Sequence, residues 1–315
     1  MKKGWLVGGA SILAAAAAGG ISYFYALSVP RKSFVSETKT NLMPERVSGK
    51  AKELYESALE WYQNSAREDV YVTSFDGLKL HGNWIPAEED KGLTVIMVHG
   101  YRSIGFRDFG PMLPFYHGLG ANILMVDDRG HGESEGDYVG YGWHDHYDVE
   151  KWISYVIHRE GEDAKIFLHG VSMGAATVMM VSGEELPEQV KGIIEDCGYT
   201  NIKDQMKWCV NTLYHMPAEP FVTAVSKVTR VKNHYGLEEC DSVAALRKAK
   251  LPYLFIHGSN DTFVPTKMVY ENYDACASPD KKLVLVEGAE HAESYVTNAE
   301  LYEKEVTEFI NTHLV

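Results

Sequence analysis

One stretch of the chain constrains its fold more than any other. In residues 165–180, KIFLHGVSMGAATVMM, a short apolar run gives way at once to glycines and small helix formers. This pattern is typical of a buried parallel strand that turns directly into a helix. Such a tight turn leaves no room for side chains where the backbone reverses, which explains Gly170 and Gly174. We predict that Ser172 lies in a strained conformation at the turn, with its hydroxyl above the sheet.

A serine presented in this way is a candidate nucleophile. The NH groups of the first helical turn, including that of Met173, point toward negative charge that develops beside Ser172. The pattern GxSxG also occurs at residues 132–136, around Ser134. Glutamates flank that serine and would oppose an oxyanion, and further glycines follow it in place of a helix. We therefore predict that Ser134 is a loop residue.

Composition favours one sizeable domain and argues against a nucleic-acid partner. The 315 residues are 45% hydrophobic, which is enough for one large core, although two small domains also fit the length. The formal net charge is −14, and Lys2 and Lys3 are the only charged residues before Arg31. The rest of the chain is therefore acidic and would repel phosphate.

The amino-terminal residues 4–30 are uncharged and long enough to span a bilayer. Lys2 and Lys3 favour a cytoplasmic amino terminus, although Arg31 and Lys32 oppose that orientation. A cleaved secretory signal is the alternative, but the apolar region is longer than a usual signal core. We predict a transmembrane anchor within residues 1–30, a linker and helix over 31–69, and a catalytic domain over 70–315. The domain would be extracytoplasmic at the cell membrane, or secreted if the segment is cleaved.

The rest of the chain alternates between strands and helices. After a polar, helical segment around residues 51–67, two runs at 70–75 and 78–85 flank the turn dipeptide Asp76-Gly77, which predicts an antiparallel hairpin. Short apolar runs separated mostly by segments of helix length follow at 94–98, 123–126, 165–168, 192–195, 253–256 and 282–286. This pattern predicts an α/β fold with a doubly wound, mostly parallel sheet of about eight strands. Functional residues are expected at the carboxyl ends of those strands.

The alternation breaks between residues 200 and 250. We predict that this insertion forms a small helical cap over Ser172, with a pocket for an acyl or aromatic group. The alternative is that its apolar residues are plain core for two packed helices. The residues concerned are Trp208, Leu213, Tyr214, Met216, Phe221 and Val225.

Two further residues follow predicted strands and suit acid–base chemistry. Of thirteen histidines, only His291 follows the last predicted strand in a loop directly before the final helix, and we predict that it is the general base. Asp261 follows the preceding strand and would orient the imidazole and stabilise its cation. Asp196, after the strand that follows the nucleophile, is the alternative acid.

The remaining polar candidates are interpreted as structural. His99, His169 and His257 each end an apolar run, and a charged loop is predicted to fix the rim of the sheet by ion pairing through Asp127, Asp128, Arg129 and His131. The four cysteines, Cys197, Cys209, Cys240 and Cys276, show no metal-ligand spacing. A disulfide between Cys209 and Cys240 is conceivable outside the membrane.

The chain order Ser172, Asp261, His291 is that of the α/β-hydrolase superfamily, which the sequence resembles over about residues 70–315. The resemblance is carried by VHGYR, DDRGHGES, GVSMG, GSNDTFVP and GAEH. The chain is most similar to anchored or secreted bacterial esterases and serine-peptidase-like hydrolases. The resemblance implies that the NH of Tyr101 joins that of Met173 as an oxyanion donor, although this chain has HGY where some lipases have HGGG.

These features predict a serine hydrolase that cleaves carboxylic ester, or related acyl, bonds of a small-molecule substrate through an acyl-enzyme, with no cofactor. Acyl transfer and aminopeptidase-like cleavage use the same groups and stay open as alternatives. An anchored binding protein without catalytic activity is the remaining class. The sequence does not define an oligomeric state.

Overall fold

The computed structural model describes residues 19–26, 28–31, 42–44, 47–89, 91–213 and 215–314. At its centre is an eight-stranded sheet in the order β1-β2-β4-β3-β5-β6-β7-β8. Strands β3 to β8 are parallel, whereas β2 runs antiparallel to β1 and β4. The strands are β1 (Glu68–Thr73), β2 (Lys79–Ile85), β3 (Leu93–Val98), β4 (Asn122–Val126), β5 (Lys165–Val171), β6 (Val190–Asp196), β7 (Tyr253–Gly258) and β8 (Lys281–Val286). This confirms the predicted doubly wound, mostly parallel sheet.

The predicted hairpin lies at one edge of this sheet. Thr73 pairs with Lys79 across the turn, and Gly77 adopts a φ of 91°, a region that favours glycine. The Ser74 hydroxyl oxygen accepts the NH of Leu78 at 2.8 Å and closes the turn. The two antiparallel strands were therefore predictable from the turn dipeptide and the apolar runs beside it.

Helices cover both faces of the sheet. Every residue of β3, β4 and β7 is buried, as expected for parallel strands with helices on each side. Along β3, Ile96 and Val98 join one hydrophobic core, and Val95 and Met97 join the other. The helices are α1 (Gly49–Asn64), α2 (Gly105–Phe109), α3 (Leu113–Gly118), α4 (Trp143–Glu160), α5 (Met173–Val181), α6 (Ile202–Leu213), α7 (Phe221–Asn233), α8 (Ser242–Leu246), α9 (Lys267–Ala275), α10 (Ser294–Thr297) and α11 (Ala299–His313).

The segment predicted as an insertion contains helices α6, α7 and α8. Helices α6 and α7 contact each other and are called the cap helices below. On α7, Val222 and Val225 are buried in the hydrophobic core that lies on the α5 face of the sheet. Tyr214, between the cap helices, lies outside the described residues. The break in the strand–helix rhythm thus corresponds to helices placed between β6 and β7.

The predicted transmembrane helix is not supported. Within the part of the chain that the structure describes, no helix is long and apolar enough to cross a bilayer. The first part of the predicted span, residues 4–18, lies outside the described residues. The remainder belongs to what we call the N-terminal segment, residues 19–26 and 28–31. Residues 19–26 are helical, and Val29 is fully buried in one of the two hydrophobic cores beside the sheet. Of these residues, Val29 is buried and Phe24 and Tyr25 are half-buried against the same core, whereas Tyr23 is exposed.

Candidate active site

Ser172 occupies the sharp turn between β5 and α5. Its φ of 57° and ψ of −112° place a non-glycine residue in a strained region of backbone conformation. A Cβ at Gly170 would collide with the carbonyl oxygen of Gly174, and one at Gly174 would collide with that of Val98. The predicted strand-to-helix turn is therefore present, and both glycines are required by close backbone contacts.

An imidazole reaches Ser172 from the far end of the sheet. His291 lies in the loop between β8 and α10, and its Nε2 is 2.8 Å from the Ser172 Oγ. The carboxyl ends of parallel strands meet at one edge, so residues 119 positions apart in the chain become neighbours. The geometry suits transfer of the serine proton to Nε2.

Asp261 holds the other side of that imidazole. Its Oδ2 lies 2.7 Å from the His291 Nδ1, and its Oδ1 accepts the NH groups of Phe263 and Val264, both at 2.9 Å. Burial alone would raise the pKa of Asp261, but hydrogen bonds from His257 and His291 outweigh it and hold the pKa at about 2. The carboxylate is therefore ionised at neutral pH and accepts the Nδ1 proton of His291.

A second histidine contacts the same carboxylate. The Nε2 of His257 lies 3.4 Å from the Asp261 Oδ2 and 3.0 Å from the carbonyl oxygen of Val264. Burial opposes the charged imidazole, yet the Asp261 and Glu195 carboxyls raise the pKa of His257 above its ordinary value. The sequence interpretation of His257 as merely structural missed this contact. Its only sequence signal is the four-residue spacing from Asp261.

Asp196, the alternative acid, has a different partner. Its Oδ1 accepts a hydrogen bond from the Ser294 Oγ at 2.9 Å, and its carbonyl oxygen accepts the NH of Ser172 at 2.8 Å. Burial raises the pKa of Asp196 to about 6, although the Ser294 hydroxyl lowers it. Asp196 thus supports the nucleophile turn through its backbone, whereas Asp261 is the acid bonded to His291.

The two candidate oxyanion donors flank the nucleophile. Met173 is the first residue of α5, where backbone NH groups lack partners within the helix. Tyr101 follows Gly100, where a Cβ would lie 3.2 Å from the Cβ of Ser172. The NH of Gly100 donates to the Asp108 Oδ2 at 2.6 Å and fixes this approach. Both backbone groups are near the serine, and their role as oxyanion donors stays a prediction.

Among the described residues, the hydroxyl of the second GxSxG serine makes its hydrogen bonds with backbone groups and not with His291 or Asp261. The Ser134 Oγ donates to the carbonyl oxygen of Asp127 at 2.6 Å and accepts the NH of His81 at 2.9 Å. Its residue is fully buried in the loop that follows β4. The prediction that Ser134 is a loop residue is confirmed.

The charged loop around Ser134 is tied to its neighbours by ion pairs. The buried Arg129 pairs with Asp148 of α4 at 2.7 Å and with Asp76 of the hairpin turn at 3.0 Å. His131 accepts the NH of Arg102 at 3.0 Å. The interpretation of this loop as a brace at the rim of the sheet is thus supported by the contacts.

His99 and His169 also behave as structural residues. The His99 Nε2 accepts the NH of Asp128 at 3.1 Å. The ring nitrogens of His169 contact the hydroxyls of Tyr116 and Tyr302 at 2.8 and 2.9 Å. Burial lowers the pKa of His169 to about 3, so the ring is neutral at physiological pH.

The conceivable disulfide is absent, because all four cysteines, each within the described part of the chain, are free thiols. One of them lies by the candidate triad: Cys197, Asp261 and His291 each offer a potential metal-ligand atom within 4.8 Å of the others. Burial, together with the carboxyls of Asp196 and Asp261, raises the pKa of the Cys197 thiol well above its ordinary value. A protonated thiol is a poor ligand, so these donors suit the Asp–His hydrogen bond better than a metal ion.

A cavity of about 310 Å³ opens beside Ser172 under the cap helices. Its walls are mostly apolar, and α6 is fastened to the Asp261 loop by two hydrogen bonds. The Trp208 Nε1 donates to the carbonyl oxygen of Thr262 at 3.0 Å, and the Gln205 Nε2 donates to that of Phe263 at 2.7 Å. Of the predicted pocket residues, Val225 lines this cavity, whereas Met216 is exposed.

The fold and the arrangement of Ser172, Asp261 and His291 are those of α/β hydrolases, and the comparisons with known proteins support a member of the α/β-hydrolase superfamily. The profile of the family Serine aminopeptidase, S33, matches residues 90–237. This agrees with the resemblance stated from the sequence motifs.

Relatives and solved structures agree with this assignment. YqkD of Bacillus subtilis (strain 168) is 28% identical over 252 residues, which cover 80% of this chain and 82% of that protein. The α/β-hydrolase domain-containing protein WAV2 of Arabidopsis thaliana is 24% identical over 79% of this chain and 80% of its own length. An esterase structure from Pyrococcus furiosus has a TM-score of 0.66 at 24% identity and covers 86% of this chain and 98% of that one.

Proposed function

We propose that this protein is a serine hydrolase that cleaves carboxylic esters of small molecules with apolar acyl groups. The observation that carries the proposal is the chain of contacts from Ser172 through His291 to Asp261, at 2.8 and 2.7 Å. Ser172 lines an apolar cavity, where an acyl chain can be held against the nucleophile.

In the first half of the reaction, the Ser172 Oγ attacks the ester carbonyl carbon while the His291 Nε2 takes the hydroxyl proton. The carbonyl oxygen becomes an oxyanion and accepts hydrogen bonds from the NH groups of Tyr101 and Met173. Asp261 stabilises the imidazolium. The tetrahedral intermediate then collapses, the C–O bond to the alcohol breaks, and His291 returns the proton to the leaving oxygen.

In the second half, water attacks the acyl-enzyme. His291 accepts a proton from this water and returns it to the Ser172 Oγ as the acid product leaves. Loss of one oxyanion donor typically costs on the order of a hundredfold to a thousandfold in turnover. Because the proposed donors are backbone NH groups, side-chain substitutions at Tyr101 and Met173 would leave the donors themselves in place.

The lining of the cavity favours an ester over an amino-terminal peptide bond, although the matching family profile is named for serine aminopeptidases. An aminopeptidase must hold a free ammonium group, which needs a carboxylate nearby. Among the described residues that line the cavity there is no carboxylate, and the one charged side chain is that of Arg102.

Labelling by a fluorophosphonate tests the proposal directly, because this probe reacts with an activated serine. We expect the wild-type protein and Ser134→Ala to be labelled and Ser172→Ala to stay unlabelled. The Ser134 variant is the matched control, since it removes the other serine of the GxSxG type. An unlabelled wild-type protein would instead support a binding protein without catalytic activity.

Substrate class is tested separately by turnover. We expect hydrolysis of p-nitrophenyl butyrate and little release of p-nitroaniline from aminoacyl p-nitroanilides. The reverse order of rates would replace the esterase proposal by aminopeptidase activity. Faster consumption of the ester when an alcohol is added, with a new ester as product, would indicate acyl transfer.

We also propose that the catalytic domain is located at the cell membrane on its extracytoplasmic side. This proposal rests on the sequence alone, namely Lys2, Lys3 and the uncharged residues 4–18, which lie outside the described residues. Membrane fractions washed with carbonate should retain the full-length protein. A shortened product in the soluble fraction would point to a cleaved signal instead.

A further inference from the structure

The N-terminal segment is built into the catalytic domain at a specific place. The NH of Val139 donates to the carbonyl oxygen of Val29 at 2.8 Å, and the NH of Arg31 donates to that of Asp137 at the same distance. The Arg31 guanidinium also donates to the carbonyl oxygen of Ser134 at 2.7 Å. These contacts join the segment to the loop between β4 and α4, so it enters the fold beside the active-site cavity.

One backbone oxygen of this segment connects two tyrosines of the cavity wall. The hydroxyls of Tyr101 and Tyr141 donate to the carbonyl oxygen of Ser28 at 2.8 and 2.7 Å. The two rings stack with centroids 5.5 Å apart and planes 18° from parallel. Tyr101 is also the residue whose NH is the candidate oxyanion donor. The segment therefore helps to fix the wall closest to the reacting carbonyl.

The helical part of the segment lies along the cap. The Phe24 ring stacks on Phe221 of α7 with centroids 6.0 Å apart and planes 27° from parallel. The Tyr25 hydroxyl donates to the Asn233 Oδ1 at 2.8 Å, at the other end of α7. Both Phe24 and Ser28 line the same cavity as Ser172. The segment is thus held at both ends of α7 and contributes a wall of its own.

We propose that the N-terminal segment is part of the substrate pocket and that Phe24 limits the length of the acyl chain which the pocket accepts. The cavity walls are mostly apolar, with aromatic rings such as Phe263 and with Met206, Val210 and Val222 among the lining residues. Such a surface selects for apolar chains, because each methylene placed there leaves water. This inference rests on the proposed esterase function and names its substrate more closely, as an ester whose apolar acyl chain extends toward Phe24.

Chain-length profiles test the inference. The full-length protein and its variants are assayed with p-nitrophenyl esters from acetate to dodecanoate, and kcat/KM is compared along the series. Removal of the ring in Phe24→Ala should move the optimum to longer acyl chains and raise the ratio of long-chain to acetate kcat/KM by about 10-fold or more. Phe24→Trp places a larger ring at the same position and should move the optimum to shorter chains.

Tyr23→Ala is the matched control, because Tyr23 lies next to Phe24 on the same helical turn but is 62% exposed. Its profile should equal that of the wild-type protein. Unchanged profiles in both Phe24 variants, or an equal change in the Tyr23 variant, would overturn the inference. Fluorophosphonate labelling of Ser172 distinguishes failure of the pocket inference from failure of the esterase proposal. Labelled variants with unchanged profiles refute the pocket role alone. An unlabelled wild-type protein refutes the esterase proposal and this inference with it.

Discussion

Replacement of Asp261 by Asn tests the predicted triad most sharply, because the structure fixes which way the new amide must face. The Asp261 Oδ1 accepts two backbone NH groups at 2.9 Å each, so an amide NH₂ in that position would face two donors. Asn therefore keeps its oxygen there and turns its NH₂ toward the His291 Nδ1. In the wild-type protein this nitrogen lies 2.7 Å from the Asp261 Oδ2. That NH₂ can donate only to an unprotonated Nδ1.

The consequence is a histidine in the wrong tautomer. The proton moves to Nε2, which faces the Ser172 Oγ at 2.8 Å, and the lone pair needed to accept the serine proton is lost. Comparable changes in triads lower kcat by about 10⁴, which corresponds to about 5 kcal/mol of transition-state stabilisation. The side chains are nearly equal in size, so packing should be preserved.

The loss is measured as kcat for p-nitrophenyl butyrate. The rate is divided by the concentration of folded protein. Asp196→Asn is the matched control: its side chain can still accept the Ser294 hydroxyl, and we expect kcat within roughly tenfold of the wild-type value. Turnover of Asp261→Asn at a similar level would contradict the assignment of the acid. A 10⁴-fold loss in the Asp196 variant alone would transfer the role to that residue.

Further predictions concern buried groups around the site. Burial raises the pKa of Glu195 to about 8 from 4.5, so the unfolded chain ionises first and the wild-type protein loses stability as pH rises between these values. When the free energy of unfolding in urea is measured against pH, Glu195→Gln should lose much less stability than the wild-type protein. Parallel profiles for the two proteins would contradict the expectation. His257→Gln removes a contact of Asp261 and should lower kcat by about 10-fold to 100-fold with KM unchanged, whereas an altered KM alone would argue against a positioning role. Gly174→Ala forces a collision with a strand carbonyl and should cost about 3 kcal/mol of unfolding free energy or more. Gly118→Ala, in open space at the last residue of α3, should leave that free energy unchanged or raise it by up to about 1 kcal/mol. Equal effects of the two glycine substitutions in thermal denaturation would refute the close-contact argument.

The sheet and the three triad positions were predictable because local signals and topology agree. Each apolar run specifies a buried strand, and parallel strands place their carboxyl ends at one edge, so Ser172, Asp261 and His291 had to be sought directly after strands. Ser134 could be set aside for the same reason, since no strand turns into a helix there. The structure adds that its hydroxyl is already occupied by backbone partners of its own loop.

The role of His257 could not be predicted in this way. It is the fifth residue of β7 and reads as one more core position at the end of an apolar run. Its contact with Asp261 depends on the path of the connecting loop, which returns the carboxylate to the strand it has just left. Neither composition nor periodicity shows which way the Asp261 side chain points after the turn that follows β7. A pair of polar residues at that spacing after a strand is therefore only a hint.

Hydropathy could not predict where the N-terminal segment packs. An uncharged apolar stretch gives the same hydropathy signal whether its side chains meet lipid or a groove on protein, because both environments exclude water. What distinguishes the two is polar pairing of the backbone with distant residues, such as the Ser28 carbonyl oxygen with the hydroxyls of Tyr101 and Tyr141. Those tyrosines are 73 and 113 positions away, so the sequence around Ser28 carries no trace of them, and residues that pair across such distances act as part of the catalytic domain.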